Sequence, residues 1–261
     1  MDSIVYYNHR LKSIIDLGKI EKNCPGGYLT RCTDAGTMLR TDVQEPEHMI
    51  FDKIRDNKEG YFDFSKNMID IGAYMGIYRW VLPFQKAWLF EGSRESYMYC
   101  CANAVLHGRV EDTFIYNTVL SNNHEPVVFN GFEVVEDNRG AVFNRWGVDY
   151  STGGFREDRS MILDDFCGLF DNVGFIKIDC EGMDWKILDG AANTIINAGY
   201  PPILFENWAD DNPYIGWVGE SEEQREERNL KIRWVLKEKY GYHILWNWGD
   251  HETHLAIKDQ L

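Results

Sequence analysis

The sequence predicts an α/β domain whose sheet is mainly parallel. From residue 67 onwards, short apolar runs alternate with segments that carry apolar residues at helical spacing. Strands that alternate with helices in this way form parallel sheets covered on both faces. The last two apolar runs follow one another without a helix between them, which is typical of an antiparallel hairpin. We therefore expect a seven-stranded, mainly parallel sheet with helices on both faces and a C-terminal antiparallel hairpin.

The pattern places seven strands and five helices along the chain. The expected strands are 67–71, 87–91, 113–117, 174–179, 202–206, 242–246 and 253–257. The expected helices are 45–57, 75–85, 94–106, 183–198 and 225–240. In the first of these helices, Met49, Ile50 and Ile54 recur at helical spacing and give it one apolar face. The charge run 220–228 is expected to be a solvated helix start.

Domain organisation follows from the point at which this alternation begins. Residues 1–60 are interpreted as a helical and irregular N-terminal layer packed on the core, and residues 61–261 as one domain. Segment 122–160 fits the alternation poorly, because it contains extra strand-like runs and glycine turns. This insertion is predicted to lie beside the carboxyl ends of the strands and to cover an acceptor site.

Composition limits the class of protein. The hydrophobic fraction of 44% in 261 residues is enough for a full core, and no apolar run approaches the ~20 residues of a membrane span. No signal-peptide pattern follows Met1, and no two of the six cysteines form a C-x-x-C pair. We therefore expect a cytoplasmic protein without a zinc centre. The net charge of −15 and pI of about 4.9 predict repulsion of a phosphate backbone, so no nucleic-acid partner is expected.

A glycine turn after the strand 67–71 carries the strongest functional signal. The strand contains Asp70, and Gly72, Ala73, Tyr74 and Gly76 follow it into a helix. Dinucleotide sites normally use the spacing G-x-G-x-x-G, whose middle glycine lets the backbone approach two phosphates. This turn lacks that glycine, which favours S-adenosyl-L-methionine, a cofactor without phosphates. The cofactor ammonium would approach Asp70, and its carboxylate would face the helix N-terminus. The alternative is an ordinary strand–turn–helix with two packing glycines.

A second carboxylate, Glu91, ends the next strand twenty-one residues after Asp70 and is followed by Gly92. A carboxylate accepts two hydrogen bonds side by side, which matches the diol of a ribose. We therefore expect Glu91 and Gly92 to belong to the cofactor site. The alternative is a solvated charge at a strand end.

Polar side chains also follow the strands 174–179 and 202–206. Asp179 and Glu181 stand at the end of the first, and Glu206 and Asn207 at the end of the second. Because ligands bind beyond the carboxyl ends of parallel strands, Asp179, Glu181 and Glu206 are the candidate catalytic residues. Asp179, Glu206 and Asn207 could also hold Mg²⁺ or Mn²⁺, which prefer oxygen ligands. The alternative is that these groups bond backbone and acceptor hydroxyls without a metal.

An aromatic segment near the C-terminal end is a further candidate for contact with an acceptor. Trp246-Asn247-Trp248 follows a predicted strand and could stack on the apolar face of a sugar ring. Core packing is the more common fate of a tryptophan.

Several ordered blocks resemble the FkbM-type methyltransferase family, over roughly residues 45–257. The blocks are 69–76, 90–91, 163–166, 176–184, 188–191 and 202–206. The most distinctive block resembles the family's K-I-D-x-E-G-M pattern and reads Ile176-Lys177-Ile178-Asp179-Cys180-Glu181-Gly182-Met183-Asp184. Asn103 matches an asparagine of the family. Tyr74 stands where the family usually has asparagine, and Gly92 where it usually has proline.

The resemblance implies a Rossmann-like class I methyltransferase fold and S-adenosyl-L-methionine-dependent O-methylation. It further implies a carbohydrate or glycosylated acceptor, methylated on a sugar hydroxyl. Two alternatives stay open, namely a nicotinamide-dependent oxidoreductase and a non-catalytic glycan-binding protein on the same fold. The sequence gives no indication of the oligomeric state.

Overall fold

A central sheet with flanking helices organises the structure, which is a computed structural model. It describes residues 28–32, 36–40, 45–130, 155–180, 182–207, 222–249 and 252–258. The strands are β1 (Tyr28–Cys32), β2 (Gly36–Arg40), β3 (Asn67–Ile71), β4 (Ala87–Glu91), β5 (Thr113–Asn117), β6 (Leu120–Ser121), β7 (Pro126–Asn130), β8 (Phe155–Arg159), β9 (Met161–Ile162), β10 (Val173–Ile178), β11 (Ile203–Glu206), β12 (His243–Leu245) and β13 (Thr253–Ile257). The α-helices are α1 (Glu45–Asp56), α2 (Ile77–Val81), α3 (Arg94–Leu106), α4 (Asp184–Asp189), α5 (Ala192–Asn197) and α6 (Glu222–Arg233).

The central sheet has seven strands in the spatial order β12-β13-β11-β10-β3-β4-β5. Strands β5, β4, β3, β10 and β11 are parallel, and β13 runs antiparallel between β11 and β12. This order, with its single reversed strand, is that of the class I methyltransferase fold. The predicted seven-stranded, mainly parallel sheet and its C-terminal antiparallel hairpin are therefore confirmed.

Side chains of the central strands alternate between two hydrophobic clusters, one on each face of the sheet. Ile69 and Ile71 belong to one cluster, and Met68 belongs to the other. Successive side chains of a strand point to opposite faces, so Asp70 shares a face with Met68. Both faces are buried, which explains why these strands are almost wholly apolar.

Two predicted helices are shorter in the structure, one for a local reason and one because of a distant part of the chain. Helix α2 is confined to Ile77–Val81, because Gly76 before it has φ 75° and Leu82 after it is extended. Leu82 precedes Pro83, and a residue before proline is pushed out of the helical region. The predicted helix 183–198 is divided into α4 and α5 at Gly190. A Cβ atom there would lie 2.6 Å from the carbonyl oxygen of Ser121, so the chain passes too close for any side chain.

Residues 1–60 and the part of the chain between β5 and β10 both contain strands outside the central sheet. Strands β1 and β2 form an antiparallel hairpin in a part of the chain that the pattern left irregular. Within segment 122–160, β7 pairs antiparallel with β8. Directly outside this segment, β6 pairs parallel with β9. Residues 131–154 lie outside the described residues, so the predicted cover over an acceptor site stays a prediction. Within the described ranges, no helix combines the length and the apolar character needed to cross a bilayer.

Candidate cofactor and acceptor site

The candidate site lies where the spatial order of the sheet changes direction, between β3 and β10. From β3 the chain proceeds through β4 to β5 on one side, and then returns to β10 and β11 on the other. Ligands of open α/β sheets bind in the crevice beyond the strand ends at such a point. Asp70 on β3 has Leu89 and Lys177 as its neighbours in register. The predicted cofactor and acceptor residues therefore follow strands that meet at one edge.

The glycine turn after β3 requires its first glycine. Gly72 has φ 70°, in the left-handed region, and a Cβ atom on it would lie 1.8 Å from the carbonyl oxygen of Asp179. The Asp179 N–H also donates a hydrogen bond of 3.0 Å to the Ile71 carbonyl. The turn after β3 and the loop after β10 therefore touch, backbone against backbone, and only glycine fits between them.

The backbone N–H groups of this turn are largely committed to the protein. Four of them donate hydrogen bonds of 3.1 Å or less, namely those of Gly72, Ala73, Tyr74 and Gly76. The Phe90 carbonyl accepts two of these bonds, and a Glu91 carboxylate oxygen accepts a third. A pyrophosphate needs such groups free to cradle its oxygens. The turn therefore suits a ligand without phosphates better than a dinucleotide.

Tyr74 has an unusual backbone conformation. Its φ of 52° lies in the left-handed region, where glycine and asparagine are favoured and a bulky residue is strained. Two hydrogen bonds hold it there: its N–H donates to Glu91 at 2.7 Å, and its carbonyl accepts from the Cys100 thiol at 2.9 Å. This conformation gives a physical reason for an asparagine at the matching position of the FkbM-type family.

Glu91 joins the turn after β3 to the turn after β4. One carboxylate oxygen accepts from the Tyr74 N–H and the other from the Ser93 N–H, both at 2.7 Å. The residue is only 6% exposed, and burial raises its pKa to about 7 despite these two bonds. Each oxygen keeps a second lone pair, so the carboxylate can still accept from a diol. The carbonyl of Gly92 accepts from the Asn117 amide at 3.1 Å, which holds that turn in place.

Side chains of α2 and α3 support the turn from behind. The Trp80 indole donates to the Met75 carbonyl at 2.7 Å, and the Asn103 amide donates to the same oxygen at 3.0 Å. Asn103 is fully buried. The asparagine that matches the family thus stabilises the turn and has no direct access to the crevice.

Lys177 is a site residue that the sequence reasoning missed. Its side chain is 5% exposed, and Nζ lies 3.5 Å from Asp70 Oδ1 and 3.3 Å from Asp179 Oδ2. Nζ also donates to the Gly72 carbonyl at 2.8 Å and lies 5.2 Å from the centre of the Tyr78 ring. Burial alone would lower the pKa of Lys177, but Asp179 and Asp70 outweigh it and raise that pKa well above its usual value. The available signal was a lysine inside an apolar strand, since buried lysines are almost always paired.

Asp70 faces protein in this structure. It is 0% exposed, and its neighbouring cation is Lys177. Burial raises the pKa of Asp70, and Lys177 opposes that shift. The expected contact between Asp70 and the cofactor ammonium stays a prediction.

The candidate catalytic carboxylates follow two adjacent strands. Ile178 lies beside Phe205 in register, so Asp179 and Glu206 come next at the same edge of the sheet. The Asp179 side chain is 45% exposed, and Glu206 is half-buried. Glu181 lies outside the described residues, so its part in the site stays a prediction.

The structure does not support the predicted metal site of Asp179, Glu206 and Asn207. The Asn207 side-chain oxygen accepts from a guanidinium N–H of Arg228 at 3.3 Å, and its backbone carbonyl lies 3.0 Å from His254 Nε2. A guanidinium at the proposed ligand oxygen repels a divalent cation. Among the described residues, no group of three histidine, cysteine, aspartate or glutamate side chains could hold a metal ion.

Arg228 and Asp184 are two further buried charges near this edge. Arg228 is 6% exposed, so the charge run 220–228 is not wholly solvated as expected. It precedes the buried Ile232 by four residues, and this helical spacing was the available signal. Burial and the nearby Asp179 raise the pKa of Asp184 to about 7, while Arg228 opposes that shift.

The aromatic segment 246–248 takes part in the core. Trp246 packs edge-on against Phe205 and His254, with ring centres 6.2 Å and 4.8 Å apart, and Trp248 packs against Phe62. His254 Nδ1 accepts from the Asn247 N–H at 2.8 Å, which assigns the proton to Nε2 and makes this histidine a structural bridge. Stacking of these rings on a sugar stays a prediction.

Comparisons with known proteins find similar folds at low sequence identity. No protein-family model and no curated protein matches the sequence. Among solved structures, Methyltransferase FkbM from Methylobacillus flagellatus KT is 17% identical, with a TM-score of 0.49 over 82% of this chain and 50% of that one. The chain thus spans about half the length of that structure.

Two other solved structures are similar to a comparable degree. Podospora anserina methyltransferase PaMTH1, bound to S-adenosylhomocysteine (SAH), is 13% identical with a TM-score of 0.46, over 83% of this chain and 78% of that one. The O-methyltransferase from Bacillus cereus in complex with SAH is 10% identical with a TM-score of 0.46, over 83% of each chain. These similarities concern the fold alone. The strand order of its own sheet gives this chain the class I methyltransferase fold.

Proposed function

We propose that this chain is an S-adenosyl-L-methionine-dependent O-methyltransferase that acts on a sugar hydroxyl of a glycan or glycosylated product. One observation carries the proposal. Glu91 ends the strand next to β3 and joins two turns at the crevice, while four backbone N–H groups of the glycine turn are already bonded within the protein. A carboxylate beside a turn with few free donors suits a nucleoside cofactor that carries a positive charge and no phosphate.

The residues present fit this cofactor. Glu91 would hold the ribose diol, and the turn from Gly72 to Gly76 would lie against the methionyl part, with Asp70 contributing negative charge nearby. When bound, the cofactor supplies an electrophilic methyl group. A negatively charged surrounding stabilises a sulfonium and an ammonium, whereas the same carboxylates would repel the pyrophosphate of a nicotinamide dinucleotide.

The carboxylates of the adjoining strand ends are proposed to act on the acceptor. A sugar hydroxyl is a weak nucleophile, so a base should take its proton as the methyl group arrives. Asp179, Glu181 and Glu206 are the candidates, and Asp179 has the support of an exposed side chain at this edge of the sheet. Holding the hydroxyl in line with the methyl group contributes much of the rate enhancement.

We expect the acceptor to be a neutral or cationic carbohydrate. The net charge of −15 would tend to repel an anionic acceptor. The acid-rich strand ends suit hydroxyl groups, which donate hydrogen bonds to carboxylates.

Two measurements test this proposal. The first is thermal unfolding of the purified protein with SAH, NAD⁺ or NADP⁺. We expect SAH alone to raise the melting temperature, and stabilisation by a nicotinamide cofactor instead would favour an oxidoreductase. The second is transfer of a labelled methyl group from S-adenosyl-L-methionine to a panel of neutral, cationic and anionic oligosaccharides. Binding of glycans without transfer would favour the glycan-binding alternative, and transfer only to an anionic or non-carbohydrate acceptor would contradict the acceptor class.

Glu181 is the candidate base that lies outside the described residues, and its substitution tests the acceptor side of the proposal. Glu181→Gln should lower kcat far more than it weakens SAH binding, because it acts on the acceptor side. An unchanged kcat at saturating acceptor would remove Glu181 from the mechanism.

A further inference from the structure

We propose that Lys177 is a positioning residue that links the cofactor turn to the acceptor-side carboxylate Asp179. This inference rests on the proposed function, since it assigns a role within that site. It starts from a simple geometric relationship between two adjacent strands. Asp70 and Lys177 are neighbours in register on β3 and β10. Both strands then end, and Gly72 and Asp179, two positions further along each chain, meet backbone against backbone.

The ammonium of Lys177 contacts all three of these groups. It donates to the Gly72 carbonyl at 2.8 Å and lies 3.5 Å from Asp70 and 3.3 Å from Asp179. The contact with Gly72 is a hydrogen bond, and the contacts with Asp70 and Asp179 are ion pairs. Gly72 belongs to the cofactor turn, and the Asp179 side chain is 45% exposed at the acceptor side. One buried side chain therefore bridges the two halves of the site.

Charge balance explains why a lysine is needed at this position. Asp70 is fully buried, and an isolated buried carboxylate takes up a proton rather than stay charged. Lys177 neutralises one negative charge, yet it faces two carboxylates. The ion pair of Asp70 and Lys177 by itself balances the buried charge, so the additional contact with Asp179 points to a function beyond charge balance in the core.

The contact with Asp179 has a definite consequence for methyl transfer. Asp179 is more than two-fifths exposed, and an exposed side chain without a partner occupies several rotamers. The ammonium selects the rotamers in which Oδ2 stays within 3.3 Å of Nζ. Because Nζ is itself bonded to the Gly72 carbonyl, a movement of the cofactor turn is transmitted to Asp179. Cofactor binding and acceptor positioning are thus coupled.

The test compares two variants in which the buried carboxylate is already neutral. Asp70→Asn serves as the background, because it leaves Lys177 with Gly72 and Asp179 as partners. Asp70→Asn/Lys177→Met then removes the ammonium without leaving a buried charge unpaired, so that the protein should fold. Circular dichroism and thermal unfolding confirm folding before any comparison is made.

Three readouts distinguish positioning from packing. By calorimetry, the double variant should bind SAH no more than about tenfold more weakly than Asp70→Asn, the upper range for one lost hydrogen bond. Its kcat at saturating S-adenosyl-L-methionine and acceptor should fall about 100-fold, as for a misplaced catalytic group. Lys177→Arg in the natural sequence keeps a charge at this position and should retain more of kcat than Lys177→Met does.

A fourth readout, by NMR, needs no acceptor, and it keeps failure of this inference separate from failure of the proposed function. With isotope-labelled aspartate, the carboxyl-carbon NMR signal of Asp179 should shift when SAH binds to Asp70→Asn, and this shift should be lost in the double variant. Asp179→Asn assigns the signal. A shift that survives in the double variant, or a kcat that falls only in proportion to SAH affinity, would overturn the role of Lys177. If the natural protein binds SAH but methylates no acceptor, the proposed function fails and the NMR comparison alone decides about Lys177.

Discussion

The carboxylate of Glu91 accepts a hydrogen bond of 2.7 Å from the backbone N–H of Tyr74, across seventeen positions of the chain. Tyr74 has a left-handed backbone conformation, which exposes its N–H to the end of β4. The same carboxylate accepts from Ser93. A single buried acid thus shapes the glycine turn before any ligand arrives.

The first prediction concerns the ribose contact. Glu91→Ala should weaken S-adenosyl-L-methionine binding by about 1.5–3 kcal/mol, the range for hydrogen bonds to a charged group. Glu91→Gln should weaken it less, because an amide oxygen still accepts one of the bonds. Calorimetry measures both, and Glu111→Ala, which removes an exposed acid, is the matched control. Equal affinity of Glu91→Ala and the natural protein would disprove the ribose assignment.

A second prediction concerns pH. The pKa of Glu91 is raised from 4.5 to about 7, and only the ionised form accepts from both hydroxyls of a diol. SAH affinity should therefore rise as the pH is raised through 7 and level off above it. Glu91→Gln should remove this dependence, whereas Asp184→Asn, which removes another carboxyl with a pKa of about 7, should not. A pH profile that Glu91→Gln leaves intact would assign the titration to another group.

The raised pKa of Glu91 also has a consequence for folding. Between pH 4.5 and 7 the folded state retains a proton that the unfolded state releases. The contribution of Glu91 to the free energy of unfolding therefore falls as pH rises across this window. Urea unfolding at several pH values measures the free energy of unfolding of the natural protein and of Glu91→Gln. The natural protein should lose stability relative to Glu91→Gln as the pH rises towards 7. If the free energies of unfolding of the two proteins differ by the same amount at every pH, the shifted pKa of Glu91 is wrong.

The third prediction concerns the backbone contact at Gly72. Gly60 has nearly the same φ, 72°, but nothing lies within 4 Å of an added Cβ atom. Gly60→Ala should cost about 1–2 kcal/mol through backbone strain alone. Gly72→Ala should cost about 1–3 kcal/mol more, because its Cβ atom would clash with the Asp179 carbonyl. Urea unfolding of both variants isolates the clash, and equal losses would mean that the two loops separate freely.

The fourth prediction concerns a buried cation outside the site. Arg79 is almost fully buried and donates to the carbonyls of Phe84 and Gln85 and to the Thr113 hydroxyl, with Asp112 at 2.7 Å. Arg79→Met should destabilise the protein by about 3–5 kcal/mol, as when a buried ion pair is broken.

Arg109 provides the control for this substitution. Its side chain is 35% exposed, pairs with the same aspartate and also donates to the Phe84 and Gln85 carbonyls, so Arg109→Met should cost less, about 1–2 kcal/mol. Denaturant unfolding measures both, and similar losses would show that burial does not decide the difference.

The fifth prediction concerns divalent ions. Because the Asn207 side-chain oxygen bonds the Arg228 guanidinium, we expect methyl transfer to be unchanged in EDTA. Added Mg²⁺ or Mn²⁺ should leave the melting temperature unchanged. Loss of activity in EDTA that either ion restores would contradict this reading of the site.

Much of the fold followed from local pattern. The runs that became β3, β4, β5 and β13 were predicted with their observed bounds, because short runs rich in apolar, β-branched and aromatic residues are typical of strands. Helix ends were predicted less well. Gly190 interrupts a continuous helical pattern for a reason that lies 69 positions away, at the Ser121 carbonyl.

The sequence by itself determined the sheet, the glycine turn and the strand-end acids, since each depends on residue type and spacing along the chain. Only the tertiary structure decided what those acids contact. Lys177 lies 107 positions from Asp70, and Arg228 lies 21 from Asn207. Pairing in register brings the first two together, and the packing of α6 brings the second two. Polar and charged groups from separate parts of the chain therefore meet in a buried environment, where their interactions are strong and decide which site residues remain available to a ligand.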